Sequence, residues 1–360
     1  MKQRPGETQL ADYRAGIVGC GHIARVHAGG YRATGGVDLV AAADIVPEAL
    51  ETFGEEWGVE GRYTDCAEML AQEKLDILSV CTRNHQHVEP TLAGAEAGVR
   101  AIFCEKPMAM NLGEADSMVG ACERAGVKLT VDHTMRFEAN YVHIKERIEQ
   151  GAIGALLSVE VRAIGDLGEL THNATHSFDT LCMFGGEPEW MFAHLERDVE
   201  RNAEREDLFA LVGFANGVRG KLTYGGYTNY RYEGFVWEGT EGRIEARAAN
   251  GWLPQVRCWT HDQPGENGFR DGTPIPTLEN DPWEAAIGEV VASLDENRAS
   301  ISDGRAGRLA LSLTMAAYES RRQGGARIQF PFDIQESPLD MMLESGELPK
   351  IWGRGIKEWT

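Results

Sequence analysis

The chain has 360 residues, of which 42% are hydrophobic and 25% are charged, a composition typical of a water-soluble globular protein long enough for two domains. Its formal net charge of −21 at pH 7 would repel nucleic acid and anionic membranes, so neither is expected as a partner. No apolar run approaches the roughly 18 residues that a membrane span needs, and the first residues lack the apolar core of a signal peptide. We therefore expect a cytoplasmic protein.

The 7 cysteines contain no CxxC pair and lie mostly in apolar runs. This pattern predicts reduced, buried thiols rather than a disulfide framework or a redox motif.

The first predicted strand leads into a glycine-rich turn. The strand is Ala15–Val18, and the sequence Gly19-Cys20-Gly21-His22-Ile23-Ala24 after it has the form GxGxxA and opens a helix. Glycines there permit a tight turn and let backbone N–H groups approach a pyrophosphate at the helix N-terminus. The turn therefore predicts a dinucleotide site.

A second predicted strand, Asp38–Ala43, ends in Asp44. An acidic residue about 20 positions after the glycines accepts hydrogen bonds from the ribose of adenosine. Because its charge would also repel a 2′-phosphate, NAD is favoured over NADP. The alternative is that Asp44 only caps a turn before Pro47.

Strands and helices continue to alternate as far as residue 131, which predicts a parallel sheet with right-handed crossovers. The further elements predicted are strands 75–81, 99–104 and 127–131, and helices 89–98 and 112–125. Polar residues follow three of these strands: Thr82 to His87, Glu105-Lys106-Pro107, and Asp132-His133. Since ligands of parallel sheets bind outside the carboxyl ends of the strands, these residues predict an active site there.

With these motifs in place, the sequence resembles the glucose–fructose oxidoreductase / inositol dehydrogenase (Gfo/Idh/MocA) family. The resemblance is carried by GIVGCGHIARVHAGGY, the segment Asn84 to His87, Glu105-Lys106-Pro107, the segment Val131 to Tyr141, and His176-Ser177-Phe178-Asp179. It implies a Rossmann domain over residues 1–135, an α/β domain with a large, mostly antiparallel open sheet over 136–330, and an extension over 331–360. Relatives commonly form dimers through the open face of that sheet.

The residues from 151 onwards fit this second domain. Strands are predicted at 155–164, 189–195, 208–214, 218–224 and 235–238, and helices at 284–294 and 304–318.

The resemblance also implies site residues. Lys106 matches the lysine that lies beside the nicotinamide and hydrogen-bonds the reacting hydroxyl, with Pro107 holding it through a bond that is often cis. An ammonium suits this place because it stabilises a developing alkoxide. His176 matches the histidine assigned to proton transfer, which suits the pKa range of imidazole. Cofactor contacts are expected from Gly19, Gly21, His22, Ile23, Asp44, Thr82, Asn84, His87, Glu105 and Lys106.

Substrate contacts are expected from His133, Tyr141, Arg162, His172, Asn173 and Asp179. One position departs from the family pattern, because His172 stands where many members have an aspartate four residues before the catalytic histidine. Either His172 or Asn173 takes over substrate binding, or the reaction differs from plain alcohol oxidation. His172 and His176 would also face one metal if helical, with Asp179 or Glu169 as a third ligand, but we expect no metal.

The sequence therefore predicts an NAD-dependent oxidoreductase that oxidises a secondary hydroxyl of a sugar, cyclitol or sugar acid, working as a homodimer or homotetramer. Two alternatives stay open. One is redox-neutral cleavage of a glycoside by transient oxidation and elimination, and the other is a non-catalytic sensor that binds dinucleotide.

Overall fold

The computed structural model describes residues 12–165, 170–196, 206–226, 230–249, 252–260 and 272–348. The chain divides into two compact units that alternate along the sequence: Met1–Glu105, Ser117–Asp132 and Trp283–Asp303 form unit 1, and the remaining residues form unit 2. The domain boundaries expected at residues 135 and 330 stay predictions, and the end of the expected extension, from residue 349, lies outside the described residues.

Unit 1 contains a parallel sheet of 6 strands in the order β3-β2-β1-β4-β5-β6. The strands are β1 (Tyr13–Val18), β2 (Val37–Ala43), β3 (Gly61–Tyr63), β4 (Ile77–Val80), β5 (Ala101–Cys104) and β6 (Lys128–Val131). The helices are α1 (His22–Thr34), α2 (Pro47–Trp57), α3 (Cys66–Gln72), α4 (Val88–Ala97), α5 (Leu112–Ala125), which begins in unit 2, and α8 (Pro282–Asp295). The predicted Rossmann sheet is confirmed, and its strand order reverses between β1 and β4.

The central strands read as unbroken apolar runs because both of their faces are covered. All residues of β4 and β5 are buried, as expected of strands inside a parallel sheet. The predicted ends of these elements differ from the observed ones by one or two residues, which is ordinary for strand and helix termini.

The parallel ladder extends one residue beyond each strand and so lines up the residues that follow. The N–H of Glu105 donates to the carbonyl of Val80 at 3.0 Å, and that of Asp132 donates to Cys104 at 2.8 Å. In the same way Gly19, Asp44 and Cys81 each donate to the neighbouring strand. The first polar residue after each strand is therefore held in register at one edge of the sheet.

Unit 2 contains a sheet of 9 strands in the order β14-β13-β12-β11-β7-β10-β9-β8-β15, in which the pair β7 and β10 is parallel and the other pairs are antiparallel. The strands are β7 (Leu156–Ile164), β8 (Pro188–Glu196), β9 (Asp207–Phe214), β10 (Arg219–Gly225), β11 (Tyr232–Gly239), β12 (Gly242–Ala249), β13 (Trp252–Thr260), β14 (Thr273–Ile275) and β15 (Ile328–Gln329). The predicted large, mostly antiparallel sheet is confirmed.

Helices cover one face of this sheet. They are α6 (Ala139–Glu149), α7 (Thr175–Gly185), α9 (Gly304–Arg322) and α10 (Pro338–Ser345). Helix α9 packs on β8 and α7, and α7 packs on β7 and β10. Residues along β7 and β9 alternate between buried and exposed, the pattern of a sheet with one covered face.

None of the helices in the described residues is long and apolar enough to cross a membrane. All 7 cysteines are free, and all except the half-buried Cys66 are buried, so the expectation of unpaired thiols is confirmed.

Candidate active site

The glycine turn after β1 has the geometry that a pyrophosphate requires. Gly19 has a φ of +88°, and a Cβ there would lie 2.7 Å from the backbone of Cys81 and Thr82. Among the described residues, none lies within 4 Å of a Cβ placed on Gly21 and no side chain caps helix α1, which begins at His22. The first-turn N–H groups are thus open to a phosphate, and the residues fit the phosphates of a dinucleotide.

Asp44 links this turn to the one after β2. Its carboxylate accepts the N–H of Cys20 at 2.6 Å and the N–H of Val46 at 2.8 Å, so it does cap the turn before Pro47. A carboxylate accepts about four hydrogen bonds, which leaves capacity for a ribose diol. Capping and ribose binding are therefore compatible roles.

The residues after β4 form a fixed loop at the same edge. Asn84 begins a short 3-10 turn, Asn84–Gln86, and the hydroxyl of Thr82 donates to the carbonyl of Gln86 at 3.1 Å. His87 is fully buried, with Nε2 3.1 Å from the carbonyl oxygen of Thr82. The contacts of Thr82, Asn84, His87, His22 and Ile23 with a cofactor stay predictions.

A buried trio of His27, Glu105 and Asp132 lies at the carboxyl ends of β5 and β6. His27 comes from α1, and its Nε2 lies 3.0 Å from Oε1 of Glu105 and 3.7 Å from Oδ2 of Asp132. Glu105 directly follows β5, and Asp132 directly follows β6. The three side chains are nearly inaccessible to solvent.

A hydrogen-bonded chain continues from the trio into the sheet. Nδ1 of His27 lies 3.0 Å from the hydroxyl of Ser79, which lies 2.6 Å from the hydroxyl of Tyr31. The His27 ring also stacks on Phe103 at 4.6 Å between centroids. Contacts at both ring nitrogens and on one ring face therefore fix the orientation of the His27 imidazole.

Neighbouring charges shift the pKa values of His27 and Asp132 in this trio. Burial alone disfavours a charged imidazole, but Cys81, Asp132 and Glu105 outweigh it and raise the pKa of His27 well above its usual range. Burial and the charge of Glu105 raise the pKa of Asp132 to about 7, against an opposing effect of His27. Near neutral pH the trio thus combines a His27 imidazolium with a carboxyl group, that of Asp132, that titrates.

This trio is also the one group of three potential metal ligands found within the described ranges, with ligand atoms no more than 4.8 Å apart. Both nitrogens of His27 are already within hydrogen-bonding distance of a protein oxygen. We therefore interpret it as a hydrogen-bonded network. Glu169, considered above as a metal ligand, lies outside the described residues.

In unit 2, Lys106 lies against a π-helix, Leu170–Ala174, that runs directly into α7. Its Nζ donates to the carbonyl oxygen of His172 at 3.3 Å, and the Lys106–Pro107 peptide is cis, as the family resemblance implied. The side chain of His172 is exposed, and Asn173 is half-buried. π-Helices occur frequently at functional sites, because the extra residue redirects side chains and backbone groups.

The start of this π-helix is held by a buried carboxylate. Glu206 accepts the N–H of Leu170 at 2.9 Å and the hydroxyl of Tyr318 at 3.1 and 3.0 Å. Both Glu206 and Tyr318 are buried, so the contact is shielded from water.

His176 lies near the N-terminus of α7, with its ring 6.1 Å from that of His133. Burial lowers the pKa of His176 well below its usual range, and the positive charges of Lys106, His133 and His172 lower it further. Its Nδ1 is buried and has no hydrogen-bond partner among the residues that the structure describes. At neutral pH the ring is therefore neutral and able to accept a proton.

His133 and Asp179 are engaged with other protein groups. Nε2 of His133 lies 3.0 Å from the hydroxyl of Thr175, and its Nδ1 lies 3.4 Å from Asp179. Both oxygens of Asp179 also accept from Nε of Arg136, at 2.9 and 2.8 Å. Asp179 is fully buried, and this network fixes the first turns of α7. Contacts of His133 and Asp179 with substrate stay predictions.

Two expected substrate residues lie elsewhere in unit 2. Tyr141 is fully buried and packs edge-on against Phe235 at 5.3 Å. Arg162 is exposed and faces away from the buried residues of β7, lining a groove of about 590 Å³ on the open face of the sheet. The structure therefore does not bring Arg162 to the side of the sheet that carries α7, because its position along β7 points it outwards. The sequence between 224 and 232 is rich in tyrosine and glycine; its Tyr232 lines the same groove, and its residues 227–229 lie outside the described residues.

Sequence reasoning missed five residues of these networks: His27, Asp132, Arg136, Thr175 and Glu206. Asp132 was noticed only as a polar residue after a strand. His27 lies on the buried face of α1, and a polar residue on an apolar helix face is the signal that would have pointed to it.

A Rossmann sheet with an open glycine turn, an acidic residue after β2, and a lysine beside a neutral histidine defines the class of dinucleotide-dependent oxidoreductases. Comparison with known proteins agrees. The sequence profile described as "Oxidoreductase family, NAD-binding Rossmann fold" matches residues 13–133, and the GFO/IDH/MocA C-terminal domain matches residues 141–245. The chain belongs to the Gfo/Idh/MocA family and carries its NAD-binding domain.

Its relatives include two curated dehydrogenases. D-apiose dehydrogenase from Paraburkholderia graminis is 28% identical over 343 residues, covering 88% of this chain and 90% of the relative. Myo-inositol 2-dehydrogenase from Thermotoga maritima is 25% identical over 326 residues, covering 85% and 96%. Among solved structures, the WlbA dehydrogenase from Bordetella pertussis in complex with NADH and UDP-GlcNAcA aligns with a TM-score of 0.75 and 26% identity, covering 89% of this chain and all of that one.

Proposed function

We propose that the protein oxidises a secondary hydroxyl of a sugar, cyclitol or sugar acid with NAD as the hydride acceptor. The observation that carries the proposal is the position of Lys106 in unit 2, where its Nζ donates to the carbonyl oxygen of His172 and its positive charge helps to lower the pKa of His176. The family and the relatives named above, which act on D-apiose and myo-inositol, support a carbohydrate substrate.

NAD would be held through the glycine turn and Asp44, and when bound it supplies a hydride acceptor at the nicotinamide. Lys106 donates a hydrogen bond to the reacting hydroxyl and stabilises the negative charge that grows on its oxygen. His176 accepts the hydroxyl proton, because the imidazole is neutral. The exposed His172 and the half-buried Asn173 of the π-helix bind further hydroxyl groups of the substrate.

The test is to mix the purified protein with NAD⁺ and a panel of sugars, cyclitols and sugar acids that includes D-apiose and myo-inositol, and to follow NADH. We expect turnover of at least one member, and its loss in the Lys106→Met variant. If no compound of the panel gives NADH, the proposal is contradicted. Release of aglycone from aryl glycosides without NADH would instead identify the redox-neutral elimination, and binding without any turnover would identify the sensor.

We also propose that the open face of the unit 2 sheet pairs with a second copy of the chain. Phe192 of β8 and Phe209 and Leu211 of β9 are exposed there. A groove lined by residues of β7 and β11 to β13 carries both arginine and glutamate side chains, so the face can complement itself across a twofold axis. Light scattering on the wild type should give a dimer or tetramer, and Phe209→Glu should reduce the assembly. A monomeric wild type contradicts this.

A cytoplasmic location is proposed from the 7 free cysteines, which suit a reducing compartment. Cell fractionation tests it.

A further inference from the structure

The buried trio of unit 1 lies at the edge of the sheet where the nicotinamide half of the cofactor belongs. Asp44 follows β2, on one side of the point where the strand order reverses, and is assigned to the adenosine ribose. The other half of a dinucleotide bound across that point extends over β4, β5 and β6. Glu105 and Asp132 are the first residues after β5 and β6.

Both carboxyl groups of the trio contact one imidazole. His27 contacts both carboxyl groups through the same nitrogen, at 3.0 and 3.7 Å. Oδ1 of Asp132 is buried and has no hydrogen-bond partner within the described part of the chain. A carboxyl in that setting holds a proton easily and also releases it easily when a positive charge approaches.

The oxidised and reduced forms of the cofactor differ in charge only at the nicotinamide ring. The nicotinamide ring of NAD⁺ is positive and that of NADH is neutral, whereas their adenosine and pyrophosphate parts are identical. A positive ring favours the ionised trio, with His27 as imidazolium and both carboxyl groups charged. A neutral ring has no such preference.

We propose that the His27–Glu105–Asp132 trio senses the charge of the nicotinamide, releasing a proton from Asp132 when NAD⁺ binds and keeping it when NADH binds. The number of protons released on binding therefore differs between NAD⁺ and NADH. When Asp132 loses its proton, the positive nicotinamide ring of NAD⁺ acts as the counter-charge of its carboxylate. The proposal rests on NAD as the cofactor but is independent of which substrate is oxidised.

The groups that face Asp132 support this direction. They are His27 from α1, Glu105 after β5 and Cys81 after β4. Burial raises the pKa of the Cys81 thiol, and His27 opposes this effect. Burial and Glu105 raise the pKa of Asp132 to about 7, so a fraction of the free protein carries the proton at physiological pH.

The linkage between proton binding and cofactor binding sets the expected size and sign of the proton release. If NAD⁺ ionises Asp132 fully, about half a proton is released per site at pH 7, more at lower pH, and almost none above pH 9. The ratio of NAD⁺ affinity to NADH affinity therefore rises with pH by at most about tenfold per unit below pH 7, and levels off at higher pH.

The experiment is isothermal titration calorimetry of NAD⁺ and of NADH against the full-length protein, in pairs of buffers with different ionisation enthalpies, at pH 6.5, 7 and 9. Protein groups near the adenosine and pyrophosphate, which both ligands share, release the same number of protons with NAD⁺ as with NADH. Their contribution therefore cancels when the two proton releases are subtracted. We expect a greater proton release with NAD⁺ at the two lower values and equal release at pH 9. Equal release at every pH in the wild type overturns the proposal without any variant.

The Asp132→Asn variant keeps the shape of the side chain and removes its titration. We expect the difference between NAD⁺ and NADH to disappear in this variant. The matched control is Asp38→Asn, which changes an exposed aspartate, the second residue of β2, at the opposite end of that strand from Asp44. A folded Asp132→Asn protein that retains the difference overturns the proposal, and so does a failure of both ligands to bind. Binding with the expected proton difference but no sugar turnover would contradict only the proposed substrate.

Discussion

Each unit of the protein contains a histidine whose pKa is strongly shifted by its surroundings, and the two shifts have opposite directions. In unit 1 the pKa of His27 is raised, because acidic groups surround it. In unit 2 the pKa of His176 is lowered, because burial acts together with the positive charges of Lys106, His133 and His172. Burial alone disfavours the imidazolium in both places, so the sign of the neighbouring charges decides the outcome.

The difference suits different tasks. A His27 with a raised pKa favours the charged imidazole, which stabilises the buried carboxyl groups at the edge of the sheet. A neutral His176 is able to accept a proton. One network is therefore expected to govern stability and the other catalysis, and substitutions should separate the two.

The largest effect is expected at Lys106. Replacing it with methionine removes the ammonium that stabilises the developing alkoxide, so kcat/KM for the substrate should fall by about 10² to 10³ or more. The affinity for NAD⁺ should change much less. Lys145→Met is the matched control, because Lys145 forms an ion pair with Glu149 one helical turn away on α6. Steady-state kinetics measures both, and a Lys106→Met enzyme with near-normal kcat/KM would show that the lysine is not catalytic.

Replacing His27 with leucine should destabilise the protein strongly. Glu105 and Asp132 would remain buried without their counter-charge, and breaking such a contact costs about 3 to 5 kcal/mol. His194→Leu is the control, because His194 pairs with Glu196 at 2.9 Å but both are exposed, and exposed pairs contribute only about 0 to 1 kcal/mol. The urea midpoints of the two variants give the comparison. Equal, small shifts would mean that the carboxyl groups of the trio are neutral when His27 is absent.

Much of unit 1 could be predicted because its signals are local. The GxGxxA turn, the buried strands and the polar residues after them are continuous in sequence, and the parallel ladder places them at one edge. The network around His27 could not be predicted, because it joins residues from α1, β4, β5 and β6 through register and helix rotation. Its members are separated by up to 105 positions in sequence, between His27 and Asp132.

In unit 2 the family resemblance located Lys106 and His176, but the surroundings that set their chemistry depend on tertiary contacts. Helices are predicted from apolar residues that recur with a period of 3.6 residues, and this period does not reveal a π-helix. Likewise, the bond from Arg136 to Asp179 joins a turn before α6 to the middle of α7. The face of the sheet on which Arg162 lies could not be predicted, because the register of β7 decides it and a shift of one residue would reverse it.

A smaller effect is expected from Tyr318→Phe. Losing the hydroxyl leaves the buried Glu206 with one donor fewer, at a cost of about 1 to 3 kcal/mol, and loosens the start of the π-helix. Because that helix carries His172 and Asn173, KM for the sugar should rise while the affinity for NAD⁺ is unchanged. Tyr13→Phe is the matched control: it removes a hydrogen bond to Asp295 in unit 1, so it should lower stability without raising KM for the sugar. A Tyr318→Phe enzyme that loses stability but keeps its KM would reduce Glu206 to a purely structural role.

The finest test separates burial from charge at His176. Its lowered pKa means that the neutral form persists as pH falls below 6.5, so the acid limb of kcat/KM at saturating NAD⁺ should lie below that value. In Lys106→Met one positive neighbour is gone, and NMR titration of the His176 ring should show a raised pKa that still lies below 6.5, because burial is the largest cause of the shift. Native stability should follow the same sign: it decreases as pH falls below 6.5, where the unfolded histidine binds a proton that the folded one resists. An unchanged pKa would mean that Lys106 does not act on His176. A value above 6.5 would mean that charge, rather than burial, keeps this histidine neutral.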